Sequence, residues 1–256
     1  MSKKQNKRQI LLICTAVCAV LLIIIIGFIV SGLRGAPDDP AVQTDPVTTA
    51  AESVTEPTAE TQFIIETVES ADIALPEGLV IDEIGSYTGL YMEDGSDEIL
   101  SGILMMVVTN HHQKTLQYAD ICLTDGTDTA VFSLSTLPSG ESAVLLEQNR
   151  MTYEAGKHLT QSEMRSTVYF SEEPSLCEDK LSLQALNGVM NVTNITDEDI
   201  TGDIAIYYKN ASADMLYGGI TYRVTIRGGL AAGEVRQIAA NHFSASGSRI
   251  MFVTVG

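Results

Sequence analysis

The chain has 256 residues with 33 acidic and 15 basic side chains, a formal charge of −18, and no tryptophan. Five of the bases precede residue 36, so everything beyond holds 10 bases against all 33 acids, a charge of −23. That balance excludes nucleic acid as a partner, which requires a basic footprint, and suits solubility, cation binding or repulsion from anionic wall polymers.

Lys3, Lys4, Lys7 and Arg8 give residues 1–9 a basic character, and Ile10 to Val30 then runs without a charge. About 20 apolar residues at 1.5 Å each span the ~30 Å hydrocarbon core, more than a cleavable leader carries, so residues 10–30 read as a transmembrane helix. Cleavage after Val30-Ser31-Gly32 is the alternative. The basic tail outweighs the lone Arg34, which predicts a cytoplasmic amino terminus and an extracytoplasmic remainder in a single-pass membrane protein. Residues 31–74 read as a disordered, acidic, Pro- and Thr-rich stalk: Ala36 to Asp72 holds nine acids, no base and no sustained apolar period. Only Phe63-Ile64-Ile65 breaks that pattern.

Beyond Leu75, short apolar runs separated by Gly, Asp, Asn and Ser predict an all-β fold. Strands are expected near 86–91, 99–109, 116–123, 130–134, 143–146 and 166–170, then 181–185, 188–193, 200–208, 220–226, 234–239 and 250–255. The clearest is the tenth, 220–226: Ile220, Tyr222, Val224 and Ile226 alternate with Thr221, Arg223, Thr225 and Arg227, which turns one face inward and sends two arginines to solvent. The second half faintly repeats the first. Met106, Val108, Thr109 and Asn110 recur 84 residues on as Met190, Val192, Thr193 and Asn194, and Ala155, His158, Ser162 and Arg165 as Ala239, His242, Ser246 and Arg249. Leu137-Pro-Ser-Gly-Glu141 answers Leu230-Ala-Ala-Gly-Glu234 at an offset of 93, which places extra sequence in a loop around Ala211 to Gly219. Two duplicated units, residues 75–174 and 175–256, are therefore expected.

The run Val-Thr-Asn, a polar turn, an alternating strand and Leu-x-x-Gly-Glu resembles extracytoplasmic immunoglobulin-like β-sandwich modules of the FxLYD and CARDB type, over most of Leu75 to Gly256. Ile206-Tyr-Tyr-Lys-Asn210 stands where the FxLYD pattern has an aromatic-Asp-Gly turn. The resemblance implies two tandem immunoglobulin-like sandwiches in a single-pass envelope protein of Gram-positive type, with adhesion, scaffolding or presentation as the role.

Site candidates follow from residue type and repetition. Tyr207, Tyr208, Tyr217 and Tyr222 gather near Arg223, so Tyr207, Tyr217 and Arg223 suggest a wall-glycan or protein-binding edge, with Tyr208 and Tyr222 as core fillers. His158, His242, Arg165 and Arg249 are repeated polar residues that suit either structural corners or a binding site. Acidic groups at Glu93, Asp94, Asp97 and Glu98, at Asp125 and Asp128, and at Asp197, Glu198, Asp199 and Asp203 suit solvated turns or calcium, and none matches an EF-hand loop. His111 and His112 are adjacent and lack metal-ligand spacing, so no metal site is predicted. There is no Gly-x-Ser-x-Gly elbow, Gly-rich phosphate loop or His-Glu-x-x-His, so neither catalytic residues nor a cofactor are predicted. Cys122 and Cys177 permit a disulfide without requiring one. The expectation is a non-catalytic, membrane-anchored extracytoplasmic binding or scaffolding protein with an envelope protein or wall polymer as partner. The alternatives are a glycan- or calcium-dependent wall-binding module and, third, an extracytoplasmic enzyme.

Overall fold

Strand after strand in this chain places β-branched and aromatic side chains on one face and polar ones on the other, a pattern that only a layered β structure can bury. A computed structural model describes residues 64–256 apart from 97, 158, 160, 213 and 214. The strands are β1 (Ile64–Ala74), β2 (Leu79–Tyr91), β3 (Glu98–Asn110), β4 (Leu116–Thr124), β5 (Thr129–Leu137), β6 (Ser142–Leu146), β7 (Gln161–Tyr169), β8 (Leu181–Leu186), β9 (Val189–Asn194), β10 (Ile204–Ser212), β11 (Met215–Ile226), β12 (Val235–Ala239) and β13 (Ser248–Val255). Each of the twelve predicted strands overlaps one of β2 to β13. The predicted membrane span at 10–30 lies outside the described residues, and among those described no helix is long and apolar enough to cross a membrane.

The strands form one seven-stranded sheet, in the order β1-β2-β3-β6-β11-β10-β13, and two three-stranded sheets, β5-β4-β7 and β12-β9-β8. One core lies between the first half of the large sheet and β5-β4-β7, where Ile81, Leu104, Met106, Val108 and Leu145 meet Ile121, Phe132 and Leu134. A second core joins Ile204, Ile206, Tyr208 and Val253 to Leu181, Met190 and Val192. Each such side chain, fully buried, contributes roughly 1.5–3 kcal/mol. The alternate residues of β3 and β6, Met105, Val107, Val144 and Leu146, point the other way and form a third cluster with Tyr87, Tyr91 and Met92 on the opposite face.

Two expectations change. Residues 64–74, assigned to the stalk, form β1 and pair with β2 from Ile64↔Thr88 to Ala74↔Val80. The extra sequence at 211–219 is largely strand: it lengthens the β10–β11 hairpin, and Met215, Leu216 and Tyr217 pair in parallel with Ser142, Ala143 and Val144 of β6. That pairing carries the large sheet across residue 174, so the described residues belong to one compact unit.

The shared sequence motifs have shared bonding. Asn110 and Asn194 are both fully buried. The Asn110 amide nitrogen donates to the carbonyls of Leu137 (2.9 Å) and Lys114 (3.0 Å), and its backbone N–H to Glu141 O (3.0 Å). Asn194 donates to Leu230 O (3.2 Å), Ala231 O (3.1 Å) and Glu198 O (2.8 Å), with its backbone N–H on Glu234 O (3.0 Å). In each half the side-chain oxygen accepts the N–H two residues on, from His112 and from Thr196. The Val-Thr-Asn and Leu-x-x-Gly-Glu elements are thus two sides of one hydrogen-bonded corner.

Candidate functional site

Two features stand out from residues upward: a charged seam where the halves join, and an open aromatic face at the end of the large sheet. The seam arises because the β6–β11 pairing stops after Val144 and Tyr217, leaving backbone groups to be satisfied by side chains. Glu93, in the β2–β3 turn, accepts hydrogen bonds from the backbone N–H of Leu146 (2.9 Å) and of Gly219 (2.8 and 2.9 Å). Lys209 of β10 is fully buried, and its ammonium donates to the carbonyls of Ser135 (2.9 Å), Gly219 (3.2 Å) and Ile220 (2.9 Å). Its three protons are spent on three carbonyls. Loss of solvation pushes the Glu93 carboxyl upward, opposed by the N–H groups of Leu146 and Gly219. The same loss pulls Lys209 down to about 7, a fall that Glu93 opposes.

Only glycine fits at the centre of this seam. A Cβ on Gly219 would fall 1.8 Å from Ser133 O, and one on Gly218, at φ +82°, would fall 3.1 Å from Met92 Cβ. Ser135 Oγ adds a bond to Gly219 O (2.8 Å) and contacts Thr221 Oγ1 (2.9 Å), which ties β5 to β11. Here charge does the work of a sheet ladder, carboxylate for N–H groups and ammonium for carbonyls.

The open face is built by register. Tyr207 of β10 lies between Arg223 of β11 and Phe252 of β13, and Ala205 lies between Thr225 and Thr254. The Tyr207 ring stacks on Phe252 at 4.2 Å and 10°, and Phe170 meets the other ring edge-on at 5.3 Å. Phe252 is buried and Tyr207 half-buried, while Arg223, Thr225 and Arg227 are exposed, as the alternation of β11 predicts. Ala205 supplies a low floor, and a shallow hollow of about 400 Å³ results, bounded by Asp203 and Gly256 at its far end. The Asp203 carboxylate accepts the Gly228 N–H (2.8 Å).

The other sequence candidates do not join this face. Tyr217 lies before the Gly218–Gly219 bulge and packs, half-buried, on the third cluster. His242 stacks on Tyr222 at 4.8 Å, beside the second core. Arg165, on β7, faces Glu163 at 3.8 Å, whereas Arg249, on β13, is ion-paired with Glu141 in the β5–β6 turn. The repeated arginines therefore have different partners in different sheets. His158 lies outside the described residues. Its neighbour Leu159 and the equivalent Phe243 each seal one core.

The acidic groups are largely consumed by structure. Asp94 and Glu98 both pair with Arg150, which also sits over the Tyr91 ring at 4.9 Å. Asp125 accepts the N–H groups of Thr127 and Asp128, and Asp199 that of Ala232. Among the described residues no group of three His, Cys, Asp or Glu side chains converges to hold a metal ion. Cys122 is buried in β4 as a free thiol, and Cys177, also free, donates to Val253 O (3.5 Å) beside the second core.

Sequence reasoning placed Tyr207 and Arg223 together but missed Lys209 and the bonding role of Glu93. The available signal was a lysine directly after the apolar run Ile204–Tyr208, with the Gly218-Gly219 pair in the next strand. No family model matches this chain, and no curated protein or solved structure matches it either.

Proposed function

We propose that this chain is a non-catalytic, single-pass envelope protein whose extracytoplasmic part, two immunoglobulin-like sandwiches fused through one sheet, binds a partner protein as a scaffold. The observation that carries the reading is the open face of β10, β11 and β13. There a half-buried tyrosine is held flat on a buried phenylalanine next to an exposed arginine. A tyrosine already braced by stacking loses little freedom on contact, and tyrosine and arginine are enriched among the residues that anchor protein interfaces. Lys209 and Glu93, by contrast, are committed to backbone groups of the seam.

The test is a photo-crosslinking residue at position 207 of the full-length protein in its native membranes, with position 168, an exposed site on β7, as the comparison. One recurrent protein captured from 207 and not from 168, and lost in Arg223→Glu, is the expected outcome. Equal capture from both positions, or recovery of the protein with the wall polymer instead, overturns it in favour of wall binding.

A further inference from the structure

Resting on that reading, we infer that the open face takes an extended acidic peptide, with carboxylates on Arg223 and Arg227 and an uncharged side chain against Tyr207. The argument starts from how this molecule treats its arginines. Among the described residues Arg150, Arg165, Arg236 and Arg249 all have a carboxylate within ion-pair reach. Arg223 and Arg227 have none, in a protein with more than twice as many acids as bases. Both are exposed and both line the hollow, Arg223 from β11 and Arg227 from the turn directly after it.

Leaving two guanidiniums unpaired among so many carboxylates keeps their bidentate donor forks available for a carboxylate from outside. The overall negative charge does little to prevent this, since screening confines exposed charges to about 8 Å at physiological salt.

The spacing selects the ligand. Arg223 lies in β11 and Arg227 one residue past its end, along a segment extended as far as Ile226. Their four-residue separation, roughly 13 Å, is the distance between carboxylates four residues apart in an extended peptide. The floor between them is Ala205 with the flanking Thr225 and Thr254, and the Tyr207 ring stands at one end. Neither the floor nor the ring offers a charge, and Asp203 closes the far end with a negative one. A polymer with a phosphate on every unit would waste charge over Ala205. A peptide with two separated acids and small or apolar residues between them places charge at the two arginines and none over that floor, while the Asp203 carboxylate at the Arg227 end is occupied by the Gly228 N–H.

The test uses full-length protein in detergent at physiological salt. The probe is a labelled ten-residue peptide with two glutamates four residues apart and alanine or valine between them. Its comparators are the same peptide with glutamines and an inorganic polyphosphate of matching length. Saturable binding of the glutamate peptide is expected, about tenfold weaker for the glutamine peptide and for the Arg223→Gln/Arg227→Gln double variant. Lys114→Gln, which removes an exposed cation elsewhere, leaves it unchanged. Absence of saturable binding, retention in the double variant, or polyphosphate binding as tightly as the peptide overturns the inference. If crosslinking at 207 still captures a partner in any of those cases, the scaffold reading stands and only the ligand class falls.

Discussion

Removal of the Glu93 carboxylate tests whether the seam holds the two halves of the large sheet together. In Glu93→Ala the backbone N–H groups of Leu146 and Gly219, both in buried residues, lose their acceptor. A buried donor left without a partner costs about 1–3 kcal/mol, so the pair costs about 4 kcal/mol, a large part of a typical domain's 5–15 kcal/mol. Glu93→Gln keeps one acceptor oxygen but turns an NH2 toward the other N–H, so its cost is about 2 kcal/mol. Urea unfolding followed by tyrosine fluorescence, which no tryptophan obscures, reads both values. Hydrogen exchange locates the damage: amides of β6 from 144 to 147 and of β11 from 216 to 221 exchange faster, while β4 and β9, inside the two cores, keep their protection. A loss below about 1 kcal/mol for alanine, or a glutamine variant as unstable as the alanine one, would refute the assignment of those N–H groups to the carboxylate.

Lys209 gives a pH signature. Its folded value, lowered to about 7 against an ordinary 10.5, means that between these limits the unfolded chain binds the proton more readily, so this group's contribution to stability rises with pH. Below about 7 both states hold the proton and the contribution is flat. The stability of the wild type relative to Lys209→Met therefore rises from pH 7 toward 10 in urea melts, and a constant or falling difference contradicts the burial argument. Asn110→Ala and Asn194→Ala each orphan buried carbonyls at a corner and lower stability by about 2–4 kcal/mol, within about 1 kcal/mol of each other. Asn191→Ala, a half-exposed residue bonded only to Gln184 and Gln237 side chains, costs under about 0.5 kcal/mol in the same assay.

The strands were legible because their side chains alternate, and alternation is a local property. β1 escaped that reading: Glu66, Glu69 and Asp72 interrupt its apolar residues, as suits an edge strand with solvent on one side, and bulges at 65–67 and 70–73 break its period. The segment 211–219 escaped for another reason. Its pairing with β6 is made by backbone groups, so Gly218 and Gly219 read as a loop although the space beside Ser133 O demands them in a strand. Lys209 read as a surface residue because the groups that bury it come from Ser135 and the β2–β3 turn, far away in sequence. Tyr207 and Arg223 were legible as a pair since both lie in strongly patterned strands, but the platform beneath Tyr207 needed Phe252 and Phe170, contributed by the carboxyl-terminal strand and the segment between the halves.

The way this molecule treats its sheet edges narrows how a partner can approach. An edge strand with free N–H and C=O groups invites strand addition. At one end of the large sheet β1 carries three acids and two bulges, features that oppose a flat incoming strand. At the other, the chain between the halves lies along β13, where Val253 donates to Ser175 O (2.8 Å) and Cys177 donates back to Val253 O. Both edges are thus blunted by means that would be idle if strand addition were the binding mode. The face of β10, β11 and β13 is treated in the opposite way, with its arginines unpaired and its tyrosine braced. Binding through side chains on a face leaves the ladder untouched and lets the exposed Arg223 be altered without disturbing the fold. Substitutions there separate recognition from stability, whereas those at Glu93, Lys209 and the two buried asparagines cannot.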